Sequence, residues 1–233
     1  MRIPTRPSTT EARRNTETTE KCFKSSSLCT LCSLCASVVN ASCEEIEIHM
    51  VATQLEPDGP WLLEDAELEQ LRLRALRIKL VLTDCDGVLT DGGVYYSGNG
   101  EELKRFSVRD GMGVQRLREA GIETAIITRE QSPSIKKRAE KLKLRYLYLG
   151  VGDKFAHLAV VKDQTGLRLD QLAYIGDDVN DLDIIQAIDE QGLTGAPMDA
   201  MPEVRGAVHY CCVARGGHGA FRDFSEWILR LRE

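Results

Sequence analysis

The chain has 233 residues, of which 42% are hydrophobic and 28% charged. That is ordinary globular usage in a chain long enough for a sizeable core, which excludes a fibrous repeat and disorder throughout. With 30 Lys and Arg against 36 Asp and Glu the formal charge is −6, the wrong sign for a dedicated nucleic-acid or anionic-membrane binder. No apolar run approaches the length that spans a bilayer.

Residues 1–49 hold five of the eight cysteines (Cys22, Cys29, Cys32, Cys35 and Cys43), many Ser and Thr, and one aromatic, Phe23. Such a stretch buries too little apolar area to offset its ordering entropy, so it is expected to stand outside the fold. Three readings are open. The first is a disordered extension, or translation from an upstream start with Met50 as the functional initiator. The second is a targeting peptide, from the apolar Leu28 to Val39 behind Arg13, Arg14, Lys21 and Lys24. The third is a metal cluster on Cys29, Cys32 and Cys35, whose C-x-x-C steps have iron–sulfur spacing but no well-placed fourth ligand. Cys85, Cys211 and Cys212 show no framework spacing, and a reducing cytosol is expected. Residues 50–77 read as a linker around Pro57, Gly59 and Pro60, followed by an amphipathic helix carrying Leu62, Leu63, Leu68, Leu71, Leu73 and Leu76.

From residue 78 short apolar strands alternate with helices. Strands are expected at 78–83, 124–128, 146–149, 172–175, 193–196 and 208–212, and helices at 114–120, 133–142, 154–162, 182–187 and 221–231. After the first strand, Val94-Tyr95-Tyr96, a turn from Ser97 to Gly100 and the run 103–107 predict an inserted β-hairpin. The alternation predicts an α/β fold: a Rossmann-like, doubly wound parallel sheet with helices on both faces. Ligands of such sheets bind beyond the carboxyl ends of the strands.

Those ends are where the polar residues gather. The first strand runs into Asp84-Cys85-Asp86-Gly87-Val88-Leu89-Thr90-Asp91-Gly92, two carboxylates and a glycine that lets the backbone turn its N–H groups toward an anion. The second ends at Thr128, a hydroxyl able to donate to a phosphate oxygen. After the third, Asp153 can cap a helix whose first residue is Lys154, a cation set against the helix dipole. The fourth runs into Asp177-Asp178-Val179-Asn180-Asp181, acids that repel one another unless a cation intervenes. Taken singly, each has a plainer reading as a polar turn, a strand end or a cap. Separate local explanations do not account for all four in this order.

This ordered set resembles the haloacid dehalogenase superfamily of phosphotransferases over residues 78–233. The resemblance implies that Asp84 is the nucleophile that becomes an aspartyl-phosphate, and that Asp86 serves as general acid and then as general base. It implies one Mg²⁺ on the Asp84 carboxylate, the Asp86 backbone carbonyl and Asp177, with waters and phosphate completing an octahedron. Gly87, Thr128 and Lys154 would bind phosphate, and Asp178 and Asp181 would orient the metal waters or Lys154.

Too few residues separate Asp91 from Thr128 for a cap domain. The hairpin, the run Ser107-Val108-Arg109-Asp110-Gly111, the segment 199–204 and the tail from Gly216 to Arg222 are similar to 3-deoxy-D-manno-octulosonate 8-phosphate (KDO 8-phosphate) phosphatases. These are capless tetramers whose hairpins assemble a barrel and whose glycine-rich tail helps close a neighbouring site. That resemblance implies a cytoplasmic homotetramer with a small sugar-acid phosphate as substrate and no nucleic-acid or membrane partner. Its substrate contacts would come from Ser107, Val108, Arg109, Asp110, Gly111, Arg138, Lys154 and Arg222.

The chain departs from those enzymes in two places. They usually read T-G-R or T-G-K where this chain has Thr128-Arg129-Glu130, and Gln115 replaces a residue that is often basic. Glu130 with Arg138-Ala139-Glu140-Lys141 is more similar to relatives acting on nine-carbon acids such as KDN or N-acylneuraminate 9-phosphate, including the phosphatase-like domain of some acylneuraminate cytidylyltransferases. Glu130 and Lys141 are thus candidate substrate contacts, or else an exposed charge pair on one helix. The expected activity is Mg²⁺-dependent hydrolysis of the terminal phosphate of an eight- or nine-carbon 3-deoxy-2-ulosonic acid. A broad sugar-phosphate phosphatase and a phosphatase-like subunit that binds without turnover are the rivals.

Overall fold

The computed structural model describes residues 65–233, the Asp65 and Glu102 side chains aside. The cysteine-rich segment 1–49, Met50, the linker and Leu62 and Leu63 lie outside the described residues. In chain order the elements are α1 (Asp65–Arg77), β1 (Leu80–Thr83), β2 (Thr90–Ser97), β3 (Gly100–Phe106), α2 (Val108–Glu119), β4 (Glu123–Ile127), α3 (Pro133–Leu142), β5 (Tyr146–Tyr148) and α4 (Lys154–Thr165). They continue with β6 (Leu172–Ile175), α5 (Leu182–Asp189), β7 (Leu193–Ala196), α6 (Pro202–Arg205), β8 (Tyr210–Cys211) and α7 (Ala220–Leu231).

Six strands form one sheet in the order β5-β4-β1-β6-β7-β8, every neighbouring pair parallel. Alternate strand residues face opposite sides, which is why the strands read as unbroken apolar runs. Val81, Ile126, Ala173 and Leu193 enter one layer with α1, α2, α3 and α7. Leu80, Leu82, Ile127 and Tyr174 enter the other with α4, α5 and α6. The expected doubly wound sheet is therefore present, with β2 and β3 as a separate antiparallel hairpin and, among the described residues, no cap domain. β1 lies between β4 and β6, so the strand order reverses there and a crevice opens beyond its carboxyl end.

The largest difference from the sequence reading is α2, which begins at Val108, six residues before the expected start at 114. Ser107 caps it, its hydroxyl accepting from the Arg109 N–H at 3.1 Å, so the expected loop 107–111 is a cap and first turn. Gly111 and Gly113 weaken helix propensity in the sequence, yet close packing calls for them: a Cβ would stand 2.9 Å from Arg138 Nη2 and 3.0 Å from Arg222 Cα, respectively. α1 is amphipathic over a narrower stripe than its leucines suggest, with Leu71 buried and Leu73 and Leu76 exposed. Cys85, Cys211 and Cys212 are free thiols. Among the described residues no helix is long and apolar enough to cross a membrane.

Candidate active site

Asp84 follows β1, Thr128 follows β4, Asp177 lies just beyond β6, and Lys154 opens α4. All four stand at the reversal of strand order. Lys154 is buried, with its Nζ 2.9 Å from Asp84 Oδ1 and 2.5 Å from Asp181 Oδ1. Those two carboxylates resolve the conflict of a cation with the helix dipole. Burial alone would depress the Lys154 pKa, but the charges of Asp84 and Asp181 carry it above the ordinary lysine value.

Asp181 is fully buried and fully engaged. Its Oδ1 also accepts from the Tyr174 hydroxyl at 2.6 Å, and its Oδ2 accepts from the Asp177 N–H at 3.0 Å. Asp177 Oδ1 is buried with no hydrogen-bond partner. Burial pushes the Asp84 carboxyl up to about 6 against the pull of Lys154. It pushes Asp177 up to about 8, the neighbouring charges of Asp84 and Asp181 adding to the effect. Asp84, Asp177 and Asp181 each present an oxygen within 4.8 Å of the others. Three carboxylates against one ammonium leave the pocket short of positive charge.

Gly87 adopts φ +90°, and a Cβ there would fall 2.0 Å from Asp177 Oδ2, so glycine alone lets the first loop fold against the acidic one. Thr128 is buried and its hydroxyl accepts from the Glu130 N–H at 3.2 Å. A cleft of about 240 Å³ opens over this ground, lined among others by Asp84, Asp86, Lys104, Thr128, Glu130 and Asp178.

The expected contacts at 107–111, with Arg138, Lys141 and Arg222, are not among the residues lining this cleft. Ser107, Val108 and Arg109 line a second cleft of about 520 Å³ together with Arg105, Phe106 and His218. Asp110 is buried beneath it; its Oδ1 accepts from the Arg222 N–H at 3.0 Å, and burial raises its pKa to about 6. Gly111 packs on Arg138, whose Nη2 donates to the Ser107 carbonyl at 2.7 Å. Arg222 Nε pairs with Glu226 at 2.8 Å, and Lys141 is exposed in the last turn of α3. Glu130 precedes that helix, so it and Lys141 are not a pair on one helix. In the tail, Gly217 N donates to Val88 O at 2.9 Å, which seats Gly216 and Gly217 against the first loop of their own chain.

The sequence reading missed Tyr174, Lys104, Glu101 and Ser132. Asp86 Oδ2 accepts from Lys104 Nζ at 2.8 Å, and its Oδ1 accepts from Thr90 Oγ1 at 3.1 Å. Burial would lower the Lys104 pKa, but the bond and charge of Asp86 outweigh it and raise the value. No sequence signal marks this lysine, because a hairpin offers no apolar run against which an inward polar residue stands out.

A capless doubly wound sheet with a lysine-paired aspartate and an acidic loop at its switch point defines a phosphatase-type hydrolase. No protein-family model matches the chain. The 3-deoxy-D-manno-octulosonate 8-phosphate phosphatase KdsC of Haemophilus influenzae is 40% identical over 155 residues, which is 66% of this chain and 84% of that protein. A cobalt-bound structure of the H. influenzae phosphatase has a TM-score of 0.65 at 39% identity, covering 68% of this chain and 91% of the other. The Moraxella catarrhalis phosphatase, solved with a magnesium ion, a phosphate ion and a KDO molecule, gives 0.66 at 35% identity over 70% and 92%. A Legionella pneumophila structure named for subfamily III A of the haloacid dehalogenase superfamily gives 0.66 at 39% identity over 72% and 92%. The chain belongs to the KDO 8-phosphate phosphatase family of that superfamily and is a phosphoric monoester hydrolase.

Proposed function

We propose that this enzyme hydrolyses the terminal phosphate of an eight- or nine-carbon 3-deoxy-2-ulosonic acid through a phosphorylated Asp84. The observation that carries the reading is the buried Asp84–Lys154 pair, 2.9 Å apart beside the unpartnered Asp177 Oδ1. Relatives named for KDO 8-phosphate supply the substrate class.

An orphaned carboxylate oxygen in an all-oxygen donor set suits a hard divalent cation. Asp84, Asp177 and the Asp86 backbone carbonyl would hold Mg²⁺. Asp181 also lies within reach, but both its oxygens already accept hydrogen bonds, so it supports Lys154 instead. Bound there, Mg²⁺ supplies the positive charge the pocket lacks and lowers the repulsion between a carboxylate and an anionic phosphate.

Asp84 attacks phosphorus, and the bond from phosphorus to the sugar oxygen breaks. Asp86 gives a proton to the departing oxygen, then takes one from the water that opens the aspartyl-phosphate. Lys154, Thr128 and the N–H groups of the loop at Gly87 hold the non-bridging oxygens, where charge concentrates. Asp178, exposed at the cleft, orients water about the site.

Glu130 lines the cleft where the KDO enzymes usually carry a basic residue, and it repels a sugar carboxylate brought close to it. That favours a nine-carbon acid, whose carboxylate sits farther from the phosphate. Of the contacts away from the cleft, the exposed Val108, Arg109 and Lys141 would reach substrate only at a neighbouring subunit's site, and Asp110, buried in its own chain, would not. The hairpin exposes Tyr95, Tyr96 and Leu103, as a homotetramer joined through hairpins requires.

Phosphate release from KDO 8-phosphate, KDN 9-phosphate, N-acetylneuraminate 9-phosphate and glucose 6-phosphate, with and without Mg²⁺, tests the reading. Release from the sugar acids alone, lost without metal and in Asp84→Asn, is expected. Equal rates on all four would indicate a broad phosphatase, and none at all a binding subunit. A monomer mass in light scattering would remove the assembly.

A further inference from the structure

The Asp86 carboxylate is gripped from two sides, by the Thr90 hydroxyl on Oδ1 and by Lys104 on Oδ2. Lys104 reaches it from β3 with a side chain 1% exposed, while the adjacent Leu103 is 64% exposed. Burying an ammonium and leaving the neighbouring leucine in water runs against both transfer free energies, so the contacts at the lysine's tip must compensate. Beyond Asp86 that tip meets Glu101 Oε2 at 3.7 Å, and Glu101 Oε1 accepts a hydrogen bond from the buried Ser132 hydroxyl. A chain of contacts thus runs from the first strand-end loop through the hairpin to Ser132, the residue before α3, whose hydroxyl is spent on Glu101 rather than on capping the helix.

We infer that Lys104 is a positioning residue for the proton transfers of Asp86, holding that carboxylate in the one rotamer from which it serves the departing oxygen. The inference rests on the acid–base role proposed above for Asp86. An aspartate next to a cleft has three staggered χ1 wells open to it. Bonds from Thr90 and Lys104 select one during folding, so orientation is not recovered at the moment of reaction. Glu101 shares the ammonium's charge, which keeps Lys104 in place without an exclusive ion pair to Asp86. For the first step Asp86 takes up a proton from water in the cleft; the bond from phosphorus to the sugar oxygen then breaks, and that oxygen receives the proton. Lys104 keeps its own protons throughout. The hairpin therefore does more than extend the surface: one of its strands completes the acid–base machinery of its own chain.

The experiment compares the full-length wild type and Lys104→Met, with Mg²⁺, on the sugar-acid phosphate turned over fastest and on p-nitrophenyl phosphate. A sugar alkoxide needs a proton to leave, whereas p-nitrophenolate does not. With general acid–base catalysis contributing about 10²–10⁴-fold, Lys104→Met is expected to lower kcat on the sugar phosphate by about 10–100-fold with little change in KM. On p-nitrophenyl phosphate kcat/KM is expected to stay within about threefold, because it reports only the first transfer, whose leaving group needs no proton, whereas kcat also carries the hydrolysis step that Asp86 assists. Lys104→Arg should restore part of the rate, and Lys104→Met should add nothing in an Asp86→Asn background. Crystals of Lys104→Met should show the Asp86 carboxylate turned away from the Thr90 hydroxyl. An equal loss of kcat/KM on both substrates, an additive loss with Asp86→Asn, or an unmoved Asp86 in those crystals would overturn the inference. A wild type inactive on both substrates would instead refute the proposed function, and the crystals would still decide the role of Lys104.

Discussion

Lys154→Met removes the one ammonium among the buried acids and leaves Asp84 and Asp181 facing each other without it. Breaking a buried ion pair by deleting one partner costs about 3–5 kcal/mol, since the remaining charge keeps its desolvation penalty. At roughly 2–4 °C per kcal/mol for a domain of this size, the metal-free protein should melt about 6–20 °C lower. The cost has a defined pH dependence. Lys154 holds the Asp84 pKa down against burial, so without it the carboxyl takes up a proton more readily than at its present value of about 6. Protonation relieves the unpaired charge, and the destabilisation should be full near pH 8 and shrink toward pH 5. Urea midpoints of wild type and variant at pH 5, 6.5 and 8, in chelator, measure it. Adding Asp181→Asn should return roughly 0.5–3 kcal/mol, because the two sites share one interaction. A metal-free variant within about 1 kcal/mol of wild type at pH 8, or one whose deficit grows on acidification, would refute this charge balance.

The metal-free wild type should itself lose stability as pH rises. Asp84, Asp110 and Asp177 titrate at about 6, 6 and 8 in the folded protein, above about 3.9 in the unfolded chain, so the native state binds more protons across that window. A urea series from pH 5 to 8.5 should show the midpoint falling, and a rising midpoint would contradict the raised values. Magnesium at about 100 times its dissociation constant should add roughly 2.7 kcal/mol. Asp177→Asn should abolish that gain while leaving the metal-free protein at least as stable as wild type, which thermal melts with and without Mg²⁺ can check. Gly216→Ala would place a Cβ 1.9 Å from the Gly87 carbonyl oxygen. Backbone cannot swing aside as a side chain can, so a loss of about 1–3 kcal/mol and a clear fall in kcat are expected from calorimetry and phosphate assays.

The parts legible in the sequence were those written by burial on both faces of a sheet. β6 and β7 are buried at every residue, and their limits agree with the sequence reading residue for residue. The acidic strand ends were legible for the converse reason: Asp84, Lys154, Asp177 and Asp181 conflict with their local surroundings, and the structure brings all four together. α2 was cut short because Gly111 and Gly113 lower propensity for a tertiary reason, the close approach of Arg138 and of α7, that no local window contains.

The hairpin hid its chemistry by inversion. A two-stranded ribbon has no core of its own, so alternation along β3 cannot say which of its faces is inward until the first loop is in place. Reading Leu103 as inward and Lys104 as outward is what side-chain hydrophobicity dictates, and the structure does the opposite because Asp86 and Glu101 wait on the inner side. The same inversion sets the apolar Leu103 and Tyr95, cross-strand partners in the ladder, on the exposed side. Both consequences have one cause. A lysine turned inward to orient an acid obliges its neighbours to turn outward, and the outward apolar face is the one the proposed hairpin-to-hairpin assembly would use. The site and the exposed apolar face of the hairpin are thus opposite sides of one ribbon.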